Sequence, residues 1–282
     1  MKISIGAIAG TWSRSATMAF YDAVALSSVD IVYIGTTIHS ALGGLQKRDC
    51  LAVARELTAG GKEVVLSVRA AAEAWAAEGS HAWIADCTLP VEVNDTQTLQ
   101  MLAGKVPLVI GPGVPCKDLT TLTELVALGA KRWVTPAICR GEVVKVLTFA
   151  GDAACEVEQS VLSPRHFSRW ACRVDDCPYE GWPIHGLPGC DREASLESPD
   201  PDWVHDLKML RTAGVAIMRV TPRTVRDVEV SQILGELVRG EADAKDTYAR
   251  YVEASGQPAT QMTTASNPWR GRVAHPGGAD IR

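Results

Sequence analysis

The sequence has no concentrated tract of lysine and arginine, and its formal net charge is -5. The electrostatic attraction that supplies most affinity for nucleic acid or an anionic membrane surface is therefore missing along the chain. Long apolar runs are missing too. Stretches such as Val106 to Ile110 fall far short of the roughly 20 residues that span a bilayer, so no transmembrane segment is expected. Met1-Lys2-Ile3-Ser4-Ile5-Gly6 lacks the apolar core and cleavage site of a secretory signal, and the expectation is a cytoplasmic protein. In a reducing compartment the eight cysteines read as buried small hydrophobes or metal ligands before disulfides. The sequence contains no C-x-x-C, G-x-S-x-G, G-x-G-x-x-G, P-loop or H-E-x-x-H motif. Hydrolase, dinucleotide, nucleotide and zincin readings thus lack their usual support.

What is present is an ordinary globular composition, 46% hydrophobic and 22% charged, with short β-type runs alternating with helical patterns. That alternation is the signature of strand and helix units feeding a parallel sheet. The pattern predicts strands at Lys2 to Ala7, Asp30 to Ile34, Glu63 to Val68, Ala82 to Cys87, Pro107 to Ile110, Arg132 to Thr135, Glu156 to Leu162 and Ala216 to Val220. Apolar residues spaced by three and four predict helices over Met18 to Leu26, Leu51 to Leu57, Leu99 to Leu102, Leu119 to Leu128, Trp203 to Thr212 and Val225 to Val238. Gly60-Gly61, Gly129 and Gly214 stand where helices turn into strands. Eight strands predict a (β/α)8-like barrel, with an open doubly wound parallel sheet as the competing arrangement. The expected domain runs over 1–254, with an insertion at 163–201 and a polar, partly ordered tail at 255–282.

The insertion loses all periodicity and gathers His166, Cys172, Cys177, His185 and Cys190 within 25 residues. Thiolates and imidazoles this close in sequence can converge on one ion or cluster and supply the order that a hydrophobic core does not. The competing reading is ordinary loop cysteines beside surface histidines. His39 follows the second strand, at the strand end where parallel α/β folds build their sites. Cys50, Cys87, Cys116, Cys139 and Cys155 lie in or beside apolar segments, so burial accounts for them. Glu92-Val93-Asn94-Asp95 and Ile110-Gly111-Pro112-Gly113 also stand at strand ends. Asp95 is suited to capping the helix from Thr96, and the glycines to tight turns. Arg165, with Glu92 and Asn94, makes up the candidate substrate contacts; Arg165, Arg169 and Arg173 form either an anion-holding group or a solvated basic edge.

Several collinear blocks resemble one family. They are Lys2 to Gly6, Phe20-Tyr21, Val29 to Gly35, Lys47-Arg48, Ala52 to Ser67, Val91 to Asp95, Val109 to Pro112, Gly129 to Pro136, Ser163-Pro164-Arg165 and Asn267 to Gly271. Together they resemble the UbiV family of ubiquinone-biosynthesis proteins, within the collagenase-like peptidase (U32) superfamily. The resemblance implies a barrel-like protein with a [4Fe–4S] cluster. It also implies a homologous UbiU-like partner in a heterodimer and oxygen-independent hydroxylation of an aromatic quinone precursor. Peptidase activity is not expected, because no nucleophile and base pair stands at a recognisable motif. Against the family pattern, His39 and His166 occupy places held by cysteines, Cys177 matches a third, and the fourth falls near Gly181. Ala137 stands where the family tends to have glutamate. Cys172 and Cys190 are available as substitutes, giving the ligand set His39, His166, Cys172, Cys177 and Cys190. Imidazole replaces thiolate on one iron of Rieske centres. A single Zn or Fe ion on the same residues, or a cluster-free scaffold subunit, are the alternatives.

Overall fold

The computed structural model describes residues 1–8, 12–35, 45–68, 82–116, 118–135, 155–162 and 210–255. Eight parallel strands close on themselves in sequence order: β1 (Lys2–Ile5), β2 (Ile31–Ile34), β3 (Glu63–Val68), β4 (Val91–Val93), β5 (Leu108–Ile110), β6 (Ala130–Thr135), β7 (Glu156–Leu162) and β8 (Val215–Val220). The last strand pairs with the first, Lys2 to Ile5 lying against Ile217 to Val220. The barrel replaces the open-sheet alternative, since neither outer strand of such a sheet would find this partner.

Seven of the expected strands stand within a residue or two of their places; the fourth does not. Ala82 to Cys87 was expected as a strand, but Ala82–Ala85 is a short helix. Ile84 is the one β-branched residue of that segment, and alanine favours helix. The fourth strand is instead Val91–Val93, placed between β3 and β5 by the register Ser67, Glu92, Val109. Pro90 precedes it, where its missing N–H costs no ladder bond, and its carbonyl accepts from the Leu66 N–H.

The remaining helices among the described residues are α1 (Arg14–Ala25), α2 (Lys47–Ala59), α4 (Thr96–Leu102), α5 (Leu119–Ala127), α6 (Asp227–Arg239) and α7 (Ala244–Ser255), with Ala82–Ala85 as α3. Their starts follow capping chemistry. Ser13 accepts from Ala16 N, Asp95 from Thr98 N at 2.7 Å, and Asp118 from Thr121 N at 2.8 Å. Gly129 and Gly214, at φ 106° and 90°, turn the chain from helix into strand. Of the expected helix Trp203 to Thr212, residues 203–209 lie outside the described residues. None of the described helices is long and apolar enough to cross a membrane.

Two apolar layers result. Outside the strands, Trp133, Phe20, Ile5, Leu57, Leu66 and Ile233 belong to the large cluster between sheet and helices. Inside, Ala7, Ile31, Tyr33, Val65, Val109, Val134 and Ile217 pack together.

At the first helix pair, Arg14 donates from Nε and Nη2 to the two Asp49 oxygens at 2.8 and 2.6 Å. Asp49 also accepts from the Gln46 N–H. These bonds, that to Arg14 first, hold the Asp49 carboxyl below its ordinary value of 3.8. A depressed carboxyl stabilises the fold above its unfolded pKa and loses that contribution as pH falls. Asp49→Asn is therefore expected to lower the unfolding midpoint at neutral pH, and the gap to wild type to close as pH falls below 3.8. Thermal melts from neutral to strongly acidic pH check this.

Candidate functional site

Barrel strands are buried on both faces, so a charged residue in one must find a partner inside. Glu92, Arg132, Glu158 and Arg219 are all at least 95% buried in the lumen or at its ends. The chain resolves the cost by pairing them. Arg219, on β8, donates from Nη1 and Nη2 to the two Glu92 oxygens at 2.6 and 3.3 Å. Its Nη1 lies 3.6 Å from Glu158, and its guanidinium stands 4.2 Å from the centre of the Tyr33 ring. Ser67 donates to Glu92 from the neighbouring strand.

Glu158, on β7, is the hub. Tyr33 donates to its Oε2 at 2.5 Å and Ser4 to its Oε1 at 2.6 Å. Burial pushes its carboxyl above the ordinary value, against the opposing pull of Arg219 and Arg132 and these two hydrogen bonds. Burial likewise pushes the Tyr33 phenol well up, helped by the Glu158 charge. Further toward the strand starts, Arg132 donates to Glu63 at 2.7 Å and to Glu156 at 2.8 Å. Glu63 and Glu156 are partly exposed, so this second group closes the N-terminal end of the barrel.

Glycine lets the C-terminal rim pack closely. A methyl added at Gly6 would collide with the Arg219 guanidinium, one at Gly35 with the Ser67 carbonyl, and one at Gly111 with the Asn94 side chain. Gly35 is held in turn by α1: its N–H donates to the Tyr21 hydroxyl, which donates to the Tyr33 carbonyl.

Of the sequence-predicted site residues, Glu92 and Asn94 fall at this rim, two positions apart on the β4 chain. The Glu92 carboxylate is taken up by Arg219 and Ser67, while no described residue bonds the Asn94 side chain. His39, His166, Cys172, Cys177, Cys190 and Arg165 lie outside the described residues, as do His185 and Cys139. Among the described residues no group of three or more His, Cys, Asp or Glu side chains is arranged to hold a metal. Three of the four described cysteines do not fit that task. Cys50, Cys116 and Cys155 are buried, and burial pushes the first two thiols up to about 12 and the third to about 11. A protonated thiol is a poor ligand and a poor nucleophile. Iodoacetamide at neutral pH is therefore expected to spare all three in the native protein and modify them only after denaturation, as read by peptide mass mapping. Rapid native labelling of Cys116 would contradict the placement.

Arg219, Glu158, Tyr33 and Ser4 were not among the sequence candidates. The signal for Arg219 and Glu158 was available: Val215-Ala216-Ile217-Met218-Arg219-Val220 and Glu156-Val157-Glu158 place charge inside strands that a closed barrel buries on both faces.

The sequence matches no protein-family model. Among solved structures, the chain is similar to 3-hexulose-6-phosphate synthase, with TM-score 0.41, 17% identity, and 90% of this chain and 99% of that one covered. It is similar to a U32 peptidase, with TM-score 0.46, 13% identity, and 79% and 94% covered. It is also similar to a truncated 3-deoxy-D-arabino-heptulosonate 7-phosphate synthase from Thermotoga maritima, with TM-score 0.48, 10% identity, and 91% and 88% covered. At these identities the likeness concerns the barrel and says nothing of chemistry.

Proposed function

We propose that the chain is a UbiV-like protein that carries an iron–sulfur centre and acts with a UbiU-like partner in oxygen-independent hydroxylation of an aromatic quinone precursor. The reading begins with the collinear family blocks. One structural observation supports it: β2 and β7 are joined across the lumen by the 2.5 Å bond from Tyr33 to Glu158. These are the strands whose C-terminal ends lead to the two family cysteine positions now held by histidine. His39 is four residues beyond Gly35, and His166 four beyond Leu162. Since all strands are parallel, the C-terminal ends of β2 and β7 stand at one rim.

The donor set His39, His166, Cys172, Cys177 and Cys190 is thiolate and imidazole, the ligand chemistry of iron–sulfur centres. Such a centre supplies electron transfer that protein side chains cannot. The barrel's own residues then have a narrower task. Arg219 and Glu92 hold a fixed charge pair at the floor of the mouth, and Asn94 presents an amide beside it.

Anaerobic reconstitution followed by iron and acid-labile sulfide assay tests the reading. Uptake of both, with loss of uptake in His166→Ala and Cys177→Ala, is expected. One metal per chain without sulfide would replace the cluster by a mononuclear site, and a folded protein taking up neither would support a scaffold.

A further inference from the structure

Three strands carry a charged residue into the lumen: Glu92 on β4, Glu158 on β7 and Arg219 on β8. Two positions further along each chain stands a neutral hydrogen-bonding residue, Asn94, Ser160 and Thr221 in turn. Side chains alternate along a strand, so a step of two keeps the same face. On β8 that face is set by Ile217, in the inner apolar cluster, and by Arg219; Pro222 favours the extended conformation that carries it on to Thr221. Ser160 is in register with Arg219. The Asn94 carboxamide lies over Gly111, where an added methyl would stand 2.7 Å from its Cγ.

Among the described residues, none bonds the Asn94 carboxamide, the Ser160 hydroxyl or the Thr221 hydroxyl. The Gln159 amide is taken by the Ser160 carbonyl, at 3.0 Å. Thr221 is 6% exposed. A buried hydroxyl without a partner destabilises a fold, and valine would fill the same place without that cost. The charges below are already taken up: Arg219 donates to Glu92 at 2.6 Å, and Glu158 accepts from Tyr33 and Ser4. The unused groups are therefore neutral, two hydroxyls and a carboxamide, each able to donate and to accept.

We propose that Thr221, Ser160 and Asn94 form a recognition site at the C-terminal mouth for uncharged oxygen groups, hydroxyl or carbonyl, on a small ring. Thr221 makes the deepest contact, since Asn94 and Ser160 are partly exposed. An anion is disfavoured, because Glu92 and Glu158 repel it and the arginine beneath is committed to them. The site rests on the mouth being the substrate site of the function proposed above and does not require the metal centre.

Isothermal titration of the full-length protein with resorcinol, which carries two uncharged hydroxyls, and in parallel with benzoate, tests it. Saturable one-to-one binding of resorcinol and weaker binding of benzoate are expected. Thr221→Val keeps the shape, removes the hydroxyl and is expected to weaken resorcinol binding about three- to tenfold without lowering Tm. A merely structural hydroxyl behaves the other way: its loss lowers Tm and leaves affinity unchanged, and that result overturns the proposal. Ser160→Ala and Asn94→Ala, at partly exposed positions, are each expected to weaken binding about two- to fivefold, with near-ultraviolet circular dichroism reporting the fold. Wild-type protein that shows no saturable resorcinol binding, or that prefers benzoate, also overturns the proposal. Iron assay on the same samples separates the two readings: protein that takes up iron but binds no resorcinol removes this site alone.

Discussion

Arg219→Met is expected to destabilise the barrel by about 3–5 kcal/mol, because it leaves Glu92 without its counter-ion in the lumen and takes one of two arginines from Glu158. Glu92 is 1% exposed and Glu158 is fully buried, so neither can recover its hydration. The loss corresponds to roughly 10 °C in Tm for a domain of this size. The cause is separable from lost packing. Adding Glu92→Gln to Arg219→Met removes one stranded charge and keeps its shape, so the double variant is expected to be more stable than the single one. Urea unfolding monitored by tryptophan fluorescence measures both. A single variant no less stable than wild type would mean that the Glu92 and Arg219 pair is not the fixed floor described here.

Trp133→Ala is expected to cost a similar ~3–5 kcal/mol by another route, the cavity left when a large aromatic is removed from a packed layer. Trp133 is 1% exposed, on the outer face of β6, in the cluster that joins strands to helices. Trp133→Phe keeps part of the volume and is expected to lose markedly less. The comparison also tests the direction of the strand. Arg132 and Val134 face the lumen while Trp133 faces the helices, so Trp133→Ala should leave the luminal ion pairs in place.

Much of the barrel was legible in the sequence because its strands and helices carry different periods, and because glycines such as Gly129 and Gly214 mark the turns between them. The fourth strand was misplaced for a physical reason. Val91–Val93 is only three residues long, too short to show alternation, whereas Ala82 to Cys87 offers Trp83, Ile84 and Cys87 in a longer run that resembles a strand. Glu92 and Asn94 read as residues beyond a strand at Ala82 to Cys87, whereas Glu92 lies in the middle of β4 and Asn94 just past its end. The partner of Glu92 was not legible. Arg219 is 127 residues away in sequence, and only closure of the barrel brings β4 and β8 side chains together across the lumen. Tyr33 read as one more aromatic in an apolar run. Its hydroxyl acquires meaning only opposite Glu158, on a strand three steps around the barrel.

The loop ligands rest on sequence, and their chemistry decides the account. The most direct measurement is iron and acid-labile sulfide content of the full-length protein after anaerobic reconstitution, with electron paramagnetic resonance of the reduced sample. A [4Fe–4S] centre predicts about four of each per chain, lost together in Cys177→Ala. A folded protein, shown by its circular dichroism, that takes up neither iron nor sulfide would contradict the iron–sulfur reading.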